Sequence, residues 1–344
     1  MLRRMAPGIS IVIPVYNGAA YLEASLKSIR ELRPPPLECI VVDDGSTDGS
    51  VEIAQAAGVT VVKSPEQRGP AYARNLGART ARGEILLFLD ADVMVSPDAL
   101  ARLAARFSED PERDAVIGSY DHDPGSPNLI SQYRYLLHYY THQRGQTRTY
   151  VFWTGCGAIR AGVFRAHGGF DETRTRPMME DVELGIRLSQ AGGQIWLDKG
   201  LQVKHLKPLN LAGLIKTDLA DRAIPWTVLI LRSRHMPADL NLKWGQRVSV
   251  LAASWAVLAL ILAVIFAAAS GAQVAAWLVL SAAIAASTVA LLNRDFYGFL
   301  AGVRSPWFAL RAFPLHCLYF LCCSAGFAAG LAAHEWDEWA RRHS

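Results

Sequence analysis

Asp90 and Asp92 stand one residue apart at the end of an unbroken apolar run, Leu86, Leu87, Phe88 and Leu89. In extended chain, residues two apart point to the same side. Two carboxylates leaving a buried strand on one side repel each other unless a cation or a proton relieves them. Hard divalent cations prefer carboxylate oxygen and usually keep phosphate and water as other ligands. The pair therefore fits a rigid metal-and-phosphate site at the tip of a strand. The competing explanation is a helix cap, with Asp92 starting the turn before Ser96 and Pro97. Asp43 and Asp44 end another apolar run, in VVDDGSTDGS (41–50). A turn with a helix cap explains Ser46 and Asp48 there, but not Asp43, which directly follows the strand. Glu180 and Asp181 open MEDVELGIRLSQAGG (179–193), a helix start with Gly192 and Gly193 at its end. Acids in a first turn also complement the helix dipole.

These carboxylates need elements to carry them. Ile9–Val15, Leu37–Val42, Val59–Lys63 and Ile85–Leu89 read as buried strands. Tyr21–Leu32, Val51–Ala57, Pro70–Ala81 and Pro97–Phe107 read as helices between and after them, the first stopped by Pro34-Pro35-Pro36. Apolar strands alternating with helices imply a parallel sheet covered on both faces. Ligands in such folds sit at the carboxyl ends of the strands, where Asn17-Gly18, Asp43-Asp44 and Asp90-Asp92 all fall.

The chain has 344 residues, of which 51% are hydrophobic, and a mean hydropathy of +0.15. That is room for one large domain plus a second region. A net charge of +4, without interleaved basic and aromatic residues, gives no sign of a nucleic-acid partner. The five cysteines show neither disulfide nor zinc spacing, which suits a reducing compartment. The apolar run before Tyr16 is too short for a signal-peptide core. From about Asn210 the composition changes. Leu209–Ser233 mixes apolar residues with Lys216, Arg222 and Arg232, with Arg234 just beyond, and reads as interfacial amphipathic helices. Leu251–Ala269 and Val274–Leu292 carry no charge, and Ala312–Ala333 has His316 alone besides cysteines. A membrane span needs roughly 20 apolar residues, so all three qualify. Lys243, Arg247, Arg294, Arg304 and Arg311 lie on one side of these spans, which places the N-terminal domain in the cytoplasm of a bacterial-type inner membrane. The segment FYGFLAGVRSPWFAL (296–310) reads as another interfacial stretch anchored by Tyr297 and Trp307.

SIVIPVYNG (10–18), VVDDGSTDGS (41–50), RGPAYARNLGA (68–78), LLFLDADV (86–93), TGCGAI (154–159), GGFDE (168–172) and MEDVELGIRL (179–188) occur in the order seen in family 2 glycosyltransferases. Each motif is weak alone; the ordered set resembles that family over residues 8–205. The resemblance implies an α/β GT-A fold, a mostly parallel sheet with helices on both faces, and a nucleotide-diphosphate sugar donor. It implies donor contacts from Pro14, Tyr16, Asn17, Asp43, Asp44, Arg74, Asn75 and Asp90. A carboxylate at Asp43 can accept from a ring N–H or a ribose hydroxyl. Asp92 resembles the metal-binding carboxylate of a DxD motif and His205 a late metal-ligating histidine, for Mg2+ or Mn2+, with Lys207 adding charge near the diphosphate. Asp181, with Glu180 beside it, resembles the base that deprotonates an acceptor hydroxyl while the sugar inverts, since a hydroxyl is a very weak acid.

TGCGAI resembles the acceptor-side segment, with Gly155, Cys156 and Gly157 and with Trp153 beside them as a stacking platform. A polyprenyl phosphate is already ionised near neutral pH, and family members using it generally lack the Glu-Asp pair. The expected acceptor is therefore a hydroxyl on a lipid-linked glycan or glycolipid at the bilayer. LADRAIPW (219–226) lacks the Gln-x-x-Arg-Trp spacing of processive members, which implies addition of a single sugar. A phosphate acceptor, or a transferase-like subunit without activity, are the rival readings. The expected organisation is a catalytic domain over 1–208, interfacial helices over 209–247, a membrane region over 248–334 and a tail over 335–344.

Overall fold

The computed structural model describes residues 7–173, 179–233, 243–269 and 271–343. The chain divides into two compact units that interleave in sequence. The first runs to Pro127, resumes at Thr141 and closes at Pro208; the second takes Asn128–Tyr140 and the chain from Leu209. The catalytic domain expected over 1–208 thus lends one internal stretch to the C-terminal unit.

The first unit begins with β1 (Ile9–Val15), α1 (Ala19–Arg30), β2 (Glu38–Asp43), α2 (Ser50–Ala56), β3 (Thr60–Lys63), α3 (Pro70–Thr80), β4 (Ile85–Leu89), β5 (Val93–Val95), α4 (Ala99–Glu109) and β6 (Ala115–Tyr120). Next comes α5 (Leu129–Gln143), most of which belongs to the second unit. The rest of the first unit is β7 (Arg148–Thr149), β8 (Cys156–Arg160), α6 (Ala161–Ala166), α7 (Glu180–Gln190) and β9 (Ile195–His205). The sheet order is β3-β2-β1-β4-β8-β6-β9-β5, with β7 on β9.

From β3 to β4 the sheet is parallel, as the apolar runs imply. Beyond β4 it is mixed, because β8 runs antiparallel to both β4 and β6 and β5 antiparallel to β9. An apolar run reports burial, not direction, so this reversal is invisible in composition. It has a consequence for function. Leu89 pairs with Cys156, so the start of β8 lies beside the tip of β4. Val93 pairs with His205, so the end of β9 lies beside Asp92.

The strands β1, β2 and β4 are buried almost throughout, as a sheet covered on both faces requires. Phe88, two residues before Asp90, packs with Phe170 (5.1 Å between ring centres), Phe164 (5.3 Å) and Phe152 (6.3 Å). Such pairs add about 0.5–1.5 kcal/mol beyond area burial. They fix the strand that carries the two aspartates. The α7 helix crosses the 150–152 backbone so closely that a Cβ at Gly185 would lie 2.3 Å from the Phe152 nitrogen and 2.6 Å from the Tyr150 oxygen.

The second unit holds residues 128–140 of α5, then α8 (Leu211–Asp218), a π-helical turn (Leu219–Ala223), α9 (Ile224–Ser233), α10 (Trp244–Ala268), α11 (Ala272–Leu292), α12 (Arg294–Val303) and α13 (Pro306–His343). Trp244–Ala268, Ala272–Leu292 and Pro306–Arg341 are long and apolar enough to cross a membrane. The stretch expected to be interfacial between spans two and three forms α12 and the first turns of α13. Phe296 and Leu300 are buried against Tyr133, Leu136 and Leu137 of α5, and Tyr297 shares a hydrogen bond with His316 Nδ1 (2.9 Å). Tyr297 is thus bonded within the unit, whereas Trp307 stays exposed. The run 211–233 is likewise held by protein. Asp218 forms a buried ion pair with Arg134 (2.7 Å), and Gly326 and Gly330 of α13 leave room for Ala223 and Thr227. Residues 234–242, Arg234 among them, lie outside the described residues. The segment expected as a separate tail continues α13.

Gly185→Ala forces α7 away from backbone atoms that cannot swing aside. We expect a loss of about 1–3 kcal/mol, read from thermal unfolding of the detergent-solubilised protein.

Candidate functional site

All the predicted site residues belong to the first unit, and most sit at strand ends. The turn after β1 is built by the turn after β2. Asn17, at φ 49°, accepts at Oδ1 from the Thr47 N–H (2.8 Å) and donates its own N–H to Ser46 Oγ (2.9 Å). Asp48 accepts from the Ala19 N–H (2.9 Å), and Ser50 Oγ from the Gly18 N–H (3.0 Å). Asn17 and Asp48 thus tie two loops together. Pro14 lies in β1 opposite Val42, and Tyr16 is 49% exposed, an open aromatic face above the strand ends. Asp43 accepts from the Ser46 N–H (3.0 Å) and Asp44 from the N–H groups of Arg68 (2.9 Å) and Gly69 (2.7 Å). Both aspartates are buried and shape the loop that leads into α3.

Arg74 and Asn75, expected as donor contacts, are both held by protein groups. Arg74 is 5% exposed. Its Nη1 donates to Glu180 Oε1 (2.7 Å) and its Nη2 to Asp90 Oδ1 (2.8 Å). Burial alone would lower its pKa, but Asp90, Glu180 and Asp181 outweigh burial and raise it. Asn75 accepts from the Phe170 N–H (2.9 Å) and donates to the Phe170 carbonyl (2.8 Å) and to Glu172 (2.9 Å). It latches the GGFDE loop to α3 from a buried position. Spacing cannot reveal either role, because the partners lie far away in the chain.

The α7 helix starts from Met179, which holds the left-handed conformation (φ 63°, ψ 21°). Such backbone is uncommon for a residue with a side chain. The turn sends Glu180 inward to Arg74, while Asp181 stays partly exposed. Asp181 Oδ2 accepts from both the N–H and the hydroxyl of Thr154 (3.2 Å each), and Oδ1 from the Val182 N–H (2.8 Å). Burial, and then the neighbouring Glu180, push its pKa up to about 6, against the pull of Arg74. Thr154 stands in the TGCGAI motif, but the sequence reading passed over it; a hydroxyl followed by two glycines was the available signal.

Around TGCGAI the side chains divide. Trp153 meets Tyr120 (4.8 Å between ring centres) and His142 (5.3 Å) edge-on. A Cβ at Gly155 would lie 2.3 Å from the Trp153 ring, and one at Gly157 2.4 Å from the Trp153 carbonyl oxygen. The glycines let the tryptophan fold over its own strand. Cys156 is fully buried with its thiol pushed up to about 12 by burial, so it packs the interior and presents no side chain to a ligand.

His205 Nε2 lies 3.5 Å from Asp92 Oδ2. Burial and then Asp90 raise the Asp92 pKa, and His205 and Lys207 oppose that shift. Among the described residues no cluster of three or more histidine, cysteine, aspartate or glutamate side chains could cage a metal. One carboxylate and one imidazole nevertheless converge, which suits a hard cation that takes its remaining ligands from diphosphate and water.

Residues 10–168 match the family model described as glycosyl transferase family 2. Validoxylamine A glucosyltransferase of Streptomyces hygroscopicus subsp. limoneus is 29% identical over 236 residues, covering 58% of this chain and 52% of that protein. The pre-mycofactocin glycosyltransferase of Mycobacterium tuberculosis is 31% identical over 208 residues, covering 57% and 42%. The chain spans about half the length of the curated relatives it matches. Among solved structures, the mannosyltransferase PcManGT from Pyrobaculum calidifontis, in complex with GDP-Man and Mn2+, aligns over 94% of this chain and 88% of its own, with a TM-score of 0.56 and 20% identity. That likeness bears on the fold.

Asp44→Ala strands two N–H groups. Each buried unsatisfied donor costs about 1–3 kcal/mol, so the melting temperature should drop clearly, whereas a residue that only touched ligand would leave it unchanged. The ordered motifs and the matched model agree over the same stretch: residues 10–168 of this chain are similar to glycosyl transferase family 2.

Proposed function

We propose that this chain is an inverting, divalent-cation-dependent glycosyltransferase. It takes a sugar from a nucleotide-diphosphate donor and passes it to a hydroxyl of a membrane-borne acceptor. The observation that carries this reading is Asp181. It is held in place by Thr154 and the α7 N-terminus, is partly exposed, and has a proton affinity raised to about 6. A base with that affinity is ionised at neutral pH yet basic enough to take a proton as an oxygen becomes nucleophilic.

The bonds balance as follows. The acceptor O–H proton passes to the Asp181 carboxylate. The acceptor oxygen bonds to the anomeric carbon from the face opposite the leaving group. The bond from that carbon to the diphosphate oxygen breaks, and the nucleoside diphosphate leaves with the electron pair. Asp92 and His205 would hold Mg2+ or Mn2+, which when bound would neutralise charge on the departing diphosphate. Asp43 lies at the strand ends where it can meet the nucleoside, and the exposed ring of Tyr16 offers it a face. Trp153, beside Thr154 and Asp181, offers the acceptor a ring to stack on. PcManGT, with its GDP-Man and Mn2+, is in keeping with this assignment of roles.

Three helices long enough to cross a bilayer support an acceptor drawn from the membrane. Lys243, Arg247, Arg294, Arg304 and Arg311 favour a cytoplasmic catalytic domain.

Membranes carrying the wild type or Asp181→Asn, given labelled nucleotide sugars and Mn2+, test the reading. Label from one donor should enter the lipid phase, fall by about 10²–10⁴-fold in the variant, and be lost with EDTA. Transfer that survives Asp181→Asn would move the acceptor to a phosphate. Because the base must be ionised to act and its pKa is raised, kcat/KM should fall as pH drops through about 6.

A further inference from the structure

We infer that Arg74 is a positioning residue whose guanidinium ties the donor-side carboxylate Asp90 to the first turn of the base-bearing helix α7 through Glu180. The inference rests on the transferase reading above.

Arg74 reaches both carboxylates with separate Nη atoms, at 2.7 and 2.8 Å, from inside the protein. The Phe170 ring backs it, with the guanidinium carbon 5.9 Å from the ring centre. Glu180 is 4% exposed, so it is not a surface acid soothing a helix dipole. The residue before it, Met179, sits in left-handed backbone, and the residue after it is the base. A helix entered through such a turn needs something to hold its first residue inward, and the Glu180–Arg74 contact does this. The same guanidinium holds Asp90 at the tip of β4. One planar fork thus sets the separation between a donor contact and the base. A lysine offers a single point charge and cannot span both acids.

Geometry matters here because an error of about 1 Å in a reacting group costs roughly 10²-fold in rate. An arginine that instead bound the diphosphate would act on donor affinity. The two roles separate in steady-state kinetics and nucleotide binding. We would compare wild type, Arg74→Lys, Glu180→Gln and the double variant, in detergent, with the donor that the wild type turns over. Nucleoside diphosphate affinity would be measured by calorimetry with Mn2+.

Positioning predicts that kcat falls by about 10²-fold in each single variant, that nucleoside diphosphate affinity stays within about threefold, and that the double variant is no worse than either single, because both cut one connection. Glu180→Gln nearly preserves shape, so it reports even if Arg74→Lys folds poorly. A large loss of nucleotide affinity with kcat kept, or multiplied losses in the double variant, would overturn the inference while leaving the transferase reading intact. Absence of turnover by the wild type with every donor would remove both.

Discussion

The crowding of carboxylates at one end of one sheet is the constraint on which the rest of the site depends. Asp43, Asp44, Asp90 and Asp92 end or follow buried strands and Glu180 and Asp181 open α7; Asp43, Asp44 and Glu180 are buried and the other three half-buried, so water screens them poorly. The fold answers each one separately. Backbone N–H groups serve Asp43 and Asp44, and one buried guanidinium serves Asp90 and Glu180. His205 faces Asp92, and Thr154 with the α7 N-terminus faces Asp181. What is left over is a carboxylate at Asp92 whose charge the protein does not fully compensate and proton affinity at Asp181, since burial raises both pKa values. A cation at the first and a proton acceptor at the second are what the proposed displacement at an anomeric carbon needs.

Much of this was legible in the sequence where the signal is local. Ile9–Val15 and Ile85–Leu89 are strands with the ends their apolar runs imply, and the Gly-Pro junction at 69–70 opens α3. The acids could be found because each breaks an apolar run. What pairs with them could not. Arg74 meets Glu180 across 106 residues and Asn75 meets Phe170 across 95, and no periodicity links such positions. The short strands β5 and β7 and the antiparallel β8 escaped for a related reason. Their place is set by tertiary pairing rather than by propensity.

The C-terminal unit shows helix contacts that composition does not reveal. An apolar face mixed with arginines suggested helices resting on a lipid surface. In the structure part of each such helix also packs on protein: α12 on α5, and the π turn and α9 on the glycine-lined side of α13. Polar groups inside that unit are paired in turn. Asn293 donates to Ser249 and accepts from Gln246, which closes the α10–α11 pair, and Arg134 meets Asp218. Buried polar pairs of this kind favour one arrangement of helices over its neighbours, because a shifted register would strand each partner.

The central claim is that one carboxylate drives a single displacement at the anomeric carbon. The anomeric configuration of the first-formed product tests it most directly, read from proton coupling constants in an NMR spectrum taken before any mutarotation. A configuration inverted relative to the donor is what one base and one displacement produce. A retained configuration would contradict the account, because it would require a second displacement or a front-face route in which Asp181 is not the base that activates the acceptor.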